Sequence, residues 1–212
     1  MLRPLLAEAL GTLILVATVV GSGIMAQHMA AGNDAVALLG NTLATAATLY
    51  VLISILGPIS GAHFNPVVTL LLGKRADKLA YIVVQFIGAV GGTLLAHAMF
   101  AVPLIQAGSH IRTGPALWLG EVVATFGLIL TIMLGARYRL AQVQLLVAAW
   151  ITAGYWFTSS TSFANPAVTL ARALTNSFSG IRMIDVPGFI IAQYIGGGLG
   201  FLVSRVLLKD DQ

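Results

Sequence analysis

Long apolar runs separated by short clusters of charge organise this chain. No Asp, Glu, Lys or Arg lies between Glu8 and Asp34, between Asp34 and Lys74, between Lys78 and Arg112, or between Arg139 and Arg172. A bilayer core takes about 20 apolar residues per helix. The pattern predicts membrane spans over 5–27, 38–56, 79–101, 116–136, 142–158 and 188–208. Two further hydrophobic stretches, near 59–73 and 160–174, are too short to cross. Each is broken by an Asn-Pro step, and short Pro-interrupted segments at matching places in two halves predict re-entrant half-helices. The first span is too long for the apolar core of a signal peptide and carries Glu8, so it reads as a span.

The chain repeats itself. Gly61-Ala62-His63-Phe64-Asn65-Pro66-Val67-Val68-Thr69-Leu70 echoes Thr161-Ser162-Phe163-Ala164-Asn165-Pro166-Ala167-Val168-Thr169-Leu170. Glu8, four residues before Thr12, is echoed by Glu121, four before Thr125, and Gln85-Phe86-Ile87-Gly88 by Gln193-Tyr194-Ile195-Gly196. Each half therefore reads span, span, half-helix, span. Three crossings per half force opposite orientations, which makes an inverted repeat. The whole of 1–212 reads as a single transmembrane domain. Its halves, about 1–101 and 116–212, are joined by a linker over 102–115 that holds Pro103, Gly108, Gly114 and Pro115.

Composition narrows the class. Hydrophobic residues make up 58% of the 212 and charged ones 8%, against roughly a quarter charged in soluble chains. That excludes a soluble domain and a disordered chain. The absence of cysteine excludes a disulfide-stapled module and thiol chemistry. With the N-terminus inside, Arg3, Lys74, Arg75, Lys78, Arg137, Arg139, Arg205 and Lys209 are cytoplasmic, and Arg112, Arg172 and Arg182 external: eight against three of the 11. The positive-inside rule agrees, placing a multi-pass protein in the cell membrane with both termini cytoplasmic. The net charge of +4 is then topology signal and headgroup contact, with no nucleic-acid partner needed.

The Asn-Pro steps carry chemistry. Asn is a strong N-cap and Pro suits the first helical position, so Asn65-Pro66 and Asn165-Pro166 read as two helix starts. Entering from opposite sides, the two half-helices bring their N-termini together near the midplane. Each end carries about half a positive charge, which repels cations. The Asn amides add donors that interrupt a water wire. Glu8 and Glu121 lie within spans, where a carboxylate is costly. They read as acceptors for loop N–H groups at membrane depth, with Gln85 and Gln193 as similar brackets and His63 as a hydrogen-bonding loop residue. An acid–base pair is the enzyme alternative, but nothing else in the chain resembles a catalytic set. Among the four histidines, 28, 63, 97 and 110, no metal-ligand spacing occurs. No metal or other cofactor is expected. The glycines near 88–92 and 196–200 read as close helix contacts.

The sequence resembles the major intrinsic protein family, the aquaporins and aquaglyceroporins. Asn65-Pro66-Val67 and Asn165-Pro166-Ala167 match that family's paired signature, the first with Val in place of Ala, and Ile59-Ser60-Gly61-Ala62-His63-Phe64 is also similar. The resemblance covers essentially the whole chain. It implies an all-α membrane protein of six transmembrane helices plus two re-entrant half-helices, a homotetramer with one pore per protomer, and a loop-bracing role for the two acids.

One departure stands out. Family members usually carry arginine directly after the second box, where this chain has Val168. Counting from the boxes, the resemblance maps the rest of the constriction onto Thr45, Ala153 and Ser162. A ring of Thr45, Ala153, Ser162 and Val168 is small and uncharged, with no aromatic to narrow it. It implies passage of glycerol, urea or neutral metalloid hydroxides such as arsenous acid, besides water. Asn165-Pro166-Ala167-Val168-Thr169-Leu170-Ala171-Arg172 resembles a bacterial aquaglyceroporin branch associated with arsenic handling. Arg172, four residues after Val168, is either an outer-vestibule charge or a snorkelling interface residue. A strict water channel and a coupled secondary transporter are the alternatives. The transporter needs acids lining the solute route, whereas the two intramembrane acids here read as brackets.

Overall fold

The computed structural model describes residues 2–74 and 76–209. Arg75, counted above among the inside charges, lies outside them. Eight helices and no strand occur among the described residues: α1 Leu2–Met29, α2 Asp34–Ser60, α3 Pro66–Leu72, α4 Lys78–Met99, α5 Pro115–Tyr138, α6 Val143–Phe157, α7 Pro166–Arg172 and α8 Val186–Leu207. Six of them, α6 and α8 extended by short 3-10 turns, are long and apolar enough to cross a membrane. The remaining two, α3 and α7, have seven residues each.

Local chemistry sets the helix ends. The helix α2 starts four residues before the expected span because Asn33 caps it, its side chain accepting from the N–H groups of Ala35 and Val36 at 3.1 and 3.2 Å. It ends at Gly61, whose φ of 90° suits glycine. The half-helices are shorter than the apolar stretches that announced them, because the chain before each box is not helical. Ala62 and Phe64 at φ 49°, and Ser162 and Ala164 at φ 50° and 48°, alternate into the left-handed region. Such residues carry strain of about 1–2 kcal/mol each and persist only where their surroundings hold them.

Two equivalent glycine seams join the helices. A Cβ on Gly88 or Gly92 of α4 would meet Ala9 O or Leu13 O of α1 at 2.4 or 2.3 Å. A Cβ on Gly196 or Gly200 of α8 would meet Val122 O or Phe126 O of α5 at 2.2 or 2.5 Å. In both halves the contacted carbonyls fall one and five residues after the buried Glu. Dispersion between closely approaching backbones thus replaces the hydrophobic driving force that lipid does not supply. Each half-helix also packs on the other half, α3 on α8 and α7 on α4.

With three crossing-length helices before the linker and three after it, the start of α1 and the end of α8 fall on one side, the terminal side, and the linker on the other. The linker is no slack connector. Gln106 N–H donates to Leu174 O and Gly108 N–H to Ala173 O, both at 3.0 Å, and Arg182 N–H donates to His110 O at 3.0 Å. The linker is thereby laid over the segment that follows α7.

Candidate functional site

Asn65 and Asn165 build the centre of the site. Asn65 caps α3, its Oδ1 accepting from Val67 N–H at 2.9 Å. Asn165 caps α7, its Oδ1 accepting from Ala167 and Val168 N–H at 3.0 and 3.3 Å. Each then reaches across: Asn65 Nδ2 donates to Ala164 O at 2.7 Å and Asn165 Nδ2 to Phe64 O at 2.8 Å. The two helix N-termini therefore meet, as the inverted repeat requires. An amide group carries two N–H donors. The cross-bond takes one from each Asn and leaves the other for the cavity that both residues line.

The two acids hold the loops that present these asparagines. Glu8 Oε1 accepts from Ser60 Oγ at 2.7 Å and His63 N–H at 2.9 Å. Its Oε2 accepts from Phe64 N–H and Gln85 Nε2, both at 2.8 Å. Glu121 repeats the pattern, accepting from Phe163 and Ala164 N–H at 2.8 Å and from Gln193 Nε2 at 2.6 Å. Gln85 and Gln193 also donate to Thr69 and Thr169 Oγ1, each at 2.8 Å. Both carboxylates are fully buried. The alternation of left-handed residues turns successive loop N–H groups toward them, which offsets the loop's strain. His63 Nδ1 sits 3.1 Å from Thr69 Oγ1, and the ring packs edge-on against Tyr81.

A cavity of about 260 Å³ passes these groups. Leu15, Val19, Leu128, Ile132, Val147 and Ile151 supply part of its aliphatic wall, and the two boxes supply its polar face. Thr45, Ser162 and Val168 line it, and the Ser162 hydroxyl is buried without a partner among the described residues.

Ala153 does not line the cavity, which corrects the expected ring. It is exposed on the outside of α6, whereas Val143, Val147, Ile151 and Tyr155 face inward. Two residues on a helix differ by about 200°, so an alanine two positions before an inward tyrosine points away. The Tyr155 hydroxyl donates to Thr45 Oγ1 at 3.4 Å. The cavity wall beside Thr45 therefore carries an aromatic side chain.

Arg172 is also placed differently from both expectations. It is 2% exposed, so it neither snorkels to an interface nor stands in an open mouth. Its Cζ lies 3.3 Å from the Phe163 ring centroid, and its Nε donates to Ser179 O. It lines the same cavity as Val168, with Nη1 buried and unpartnered among the described residues. Arg112 of the linker joins it, Cζ 5.0 Å from that ring centroid, with Nε donating to Gly180 O at 2.9 Å. Burial lowers the Arg112 pKa, opposed by Glu121 and Tyr155. Desolvation also lowers that of His110, and the charges of Arg112 and Arg172 add to the effect.

Residues 1–142 match the family described as Major intrinsic protein. The chain belongs to the major intrinsic protein family. It is 54% identical over 212 residues to "Aquaglyceroporin AqpS" of Rhizobium meliloti (strain 1021), covering 98% of this chain and 91% of that one. It is 32% identical to a "Probable aquaporin TIP-type" of Medicago truncatula, covering 95% of this chain and 85% of that one. The fold matches the X-ray structure of the aquaglyceroporin from Plasmodium falciparum with TM-score 0.75 at 17% identity, over 98% of this chain and 96% of that one. As a family member with six apolar crossing-length helices, the chain is a multi-pass membrane channel and not an enzyme.

Sequence reasoning missed Tyr155, Phe163 and Arg112. A signal for Tyr155 was present, since Val143, Val147, Ile151 and Tyr155 recur every four residues and mark one helix face. No local signal pointed to Arg112, which reaches the site only through the linker's folding.

Proposed function

We propose that this chain is a passive channel for small uncharged solutes: glycerol, urea, neutral metalloid hydroxides such as arsenous acid, and water. The observation that carries the reading is the pair of free Asn65 and Asn165 donors facing an aliphatic wall, with Val168 where the family usually holds arginine. A polyol presents hydroxyl oxygens on one side and carbon on the other, so both faces of such a lumen find a partner. The relative named an aquaglyceroporin supports glycerol and water among these solutes.

In this reading Thr45, Tyr155, Ser162 and Val168 form the selectivity ring. Glu8, Glu121, Gln85, Gln193 and His63 brace the loops. The halves 1–101 and 116–212 act as one channel domain within a homotetramer in the plasma membrane. The terminal side is cytoplasmic, supported by Arg3, Lys74, Lys78, Arg137, Arg139, Arg205 and Lys209 lying there. A coupled transporter is disfavoured, because loop N–H groups and glutamines occupy both intramembrane acids.

Stopped-flow swelling of proteoliposomes tests this. Glycerol and urea fluxes above those of empty liposomes, without saturation, are expected. Movement of water alone would establish the strict water channel, the second reading, which Tyr155 favours by narrowing the ring.

A further inference from the structure

The linker-side end of the cavity holds charge without a counter-charge. Arg172 and Arg112 both sit against Phe163, and neither guanidinium forms an ion pair among the described residues. The acids near them are already engaged. Glu121 is taken up by Phe163 N–H, Ala164 N–H and Gln193. Asp185 binds Arg182 at 2.9 Å and accepts from Arg112 N–H at 2.9 Å. Buried cations ordinarily lie beside an anion.

Two donors at this end lack any partner. Arg172 Nη1 and Ser162 Oγ are buried and unpartnered among the described residues, and both residues line the cavity. Arg112 Nη1 makes only long contacts, 3.4 Å to Ser160 O and 3.5 Å to Thr161 Oγ1. An unmade hydrogen bond to a buried guanidinium is costly, and a carboxylate satisfies it with a short, charge-assisted one. A planar carboxylate offers two oxygens to these donors, and its charge is matched by the arginine pair. The whole cavity holds about 260 Å³, so only a small carboxylate fits at one end of it.

We propose that Arg172 and Ser162, with the charge of Arg112 beside them against Phe163, form a binding site for a small monocarboxylate, of formate to acetate size, at the linker-side end of the pore. Neutral solutes pass this site, and a bound carboxylate occupies their route. The site rests on the channel reading for its place in a solute path, but its binding is measurable without flux.

The test uses purified protein in detergent at pH 7, with sodium formate replacing sodium chloride at constant ionic strength. A saturable rise in melting temperature is expected. Its midpoint should shift by about tenfold in Arg172→Gln and less in Ser162→Ala, consistent with loss of a charge-assisted bond. Arg182→Gln, outside the cavity and already paired with Asp185, should retain the wild-type midpoint. A rise that does not saturate, or one unchanged in Arg172→Gln, would overturn the site. Should Arg172→Gln fail to fold, titration of wild-type arginine Nε–Hε resonances with formate decides: specific saturable shifts support the site, and their absence overturns it. A parallel swelling assay separates the two proposals. Binding without any glycerol flux sinks the polyol-channel reading and leaves the site. Glycerol flux without formate binding sinks the site and leaves the channel.

Discussion

Asn65 and Asn165 each cap their own half-helix and donate to the backbone carbonyl just before the other's box, at 2.7 and 2.8 Å. One side chain thus does two jobs, and the second depends on the opposite half of the chain. Removing a cap costs about 1 kcal/mol. Residues in one hydrogen-bonded set couple, so the double variant Asn65→Ala/Asn165→Ala should differ from the sum of the single variants by about 0.5 kcal/mol or more. Reversible unfolding in detergent measures this. Strict additivity would mean that the cross-bonds do not tie the halves together.

Glu8 and Glu121 are expected to serve the fold before they serve conduction. Glu8→Leu strands the donors of Ser60, His63, Phe64 and Gln85. Each lost partner costs about 1–3 kcal/mol. Leu at either position should abolish folded protein, while Gln, which keeps an acceptor oxygen, should give reduced but measurable yield. Size-exclusion chromatography after membrane extraction is the check. Normal yield with no flux in both Leu variants would assign the acids to the solute path instead.

Tyr155 and Ala153 make opposite predictions although they are two residues apart. Tyr155→Ala removes an inward ring and the contact with Thr45, and should raise glycerol and urea flux severalfold, by about three- to tenfold where pore diameter limits passage. Ala153→Leu adds bulk on the exposed face of α6 and should leave flux within about twofold, as surface changes usually do. If Ala153→Leu blocks polyols while Tyr155→Ala does nothing, the orientation of α6 is wrong.

Val168→Arg should restore the constriction that the family usually has. Val168 lines the cavity and is 5% exposed. A guanidinium there narrows the lumen and lies one helical turn from Arg172. Glycerol flux should fall by about tenfold or more, with water flux retained, since pore width discriminates between the two. Equal loss of both would point to misfolding or a plugged pore.

His110 provides a pH signature. Its pKa lies below the ordinary value through desolvation first, then repulsion from Arg112 and Arg172. The folded state therefore binds its proton less readily than the unfolded chain. Stability carried by this site is full above the unfolded value near 6.5 and is lost progressively as pH falls toward the folded value. The melting temperature should drop between about pH 7 and pH 5.5 in wild type, and His110→Gln should flatten part of that slope. An identical slope in the variant would show that other groups carry it.

The spans, the boxes and the buried bracket of acid with glutamine were all legible in the chain. Each rests on local chemistry or on a repeat: apolar length against bilayer thickness, Asn before Pro, and Glu8 and Gln85 recurring as Glu121 and Gln193. Solvent supplied the logic, because a carboxylate or an Asn-Pro break in hydrocarbon has few stable uses. The rest depended on rotation and on long-range closure. Counting back from a box placed Ala153 in the ring, but α6 turns about 100° per residue, and its packing against α2 and α5 put Tyr155 there instead. Arg172 could be read as wet or as snorkelling because its position on a helix does not reveal the loop that covers it. The segment after α7, held by the linker, brought Ser179 O to Arg172, and the linker itself carried Arg112 to Phe163. Periodicity identifies which faces can be buried, whereas only the packed chain decides which partner each face meets.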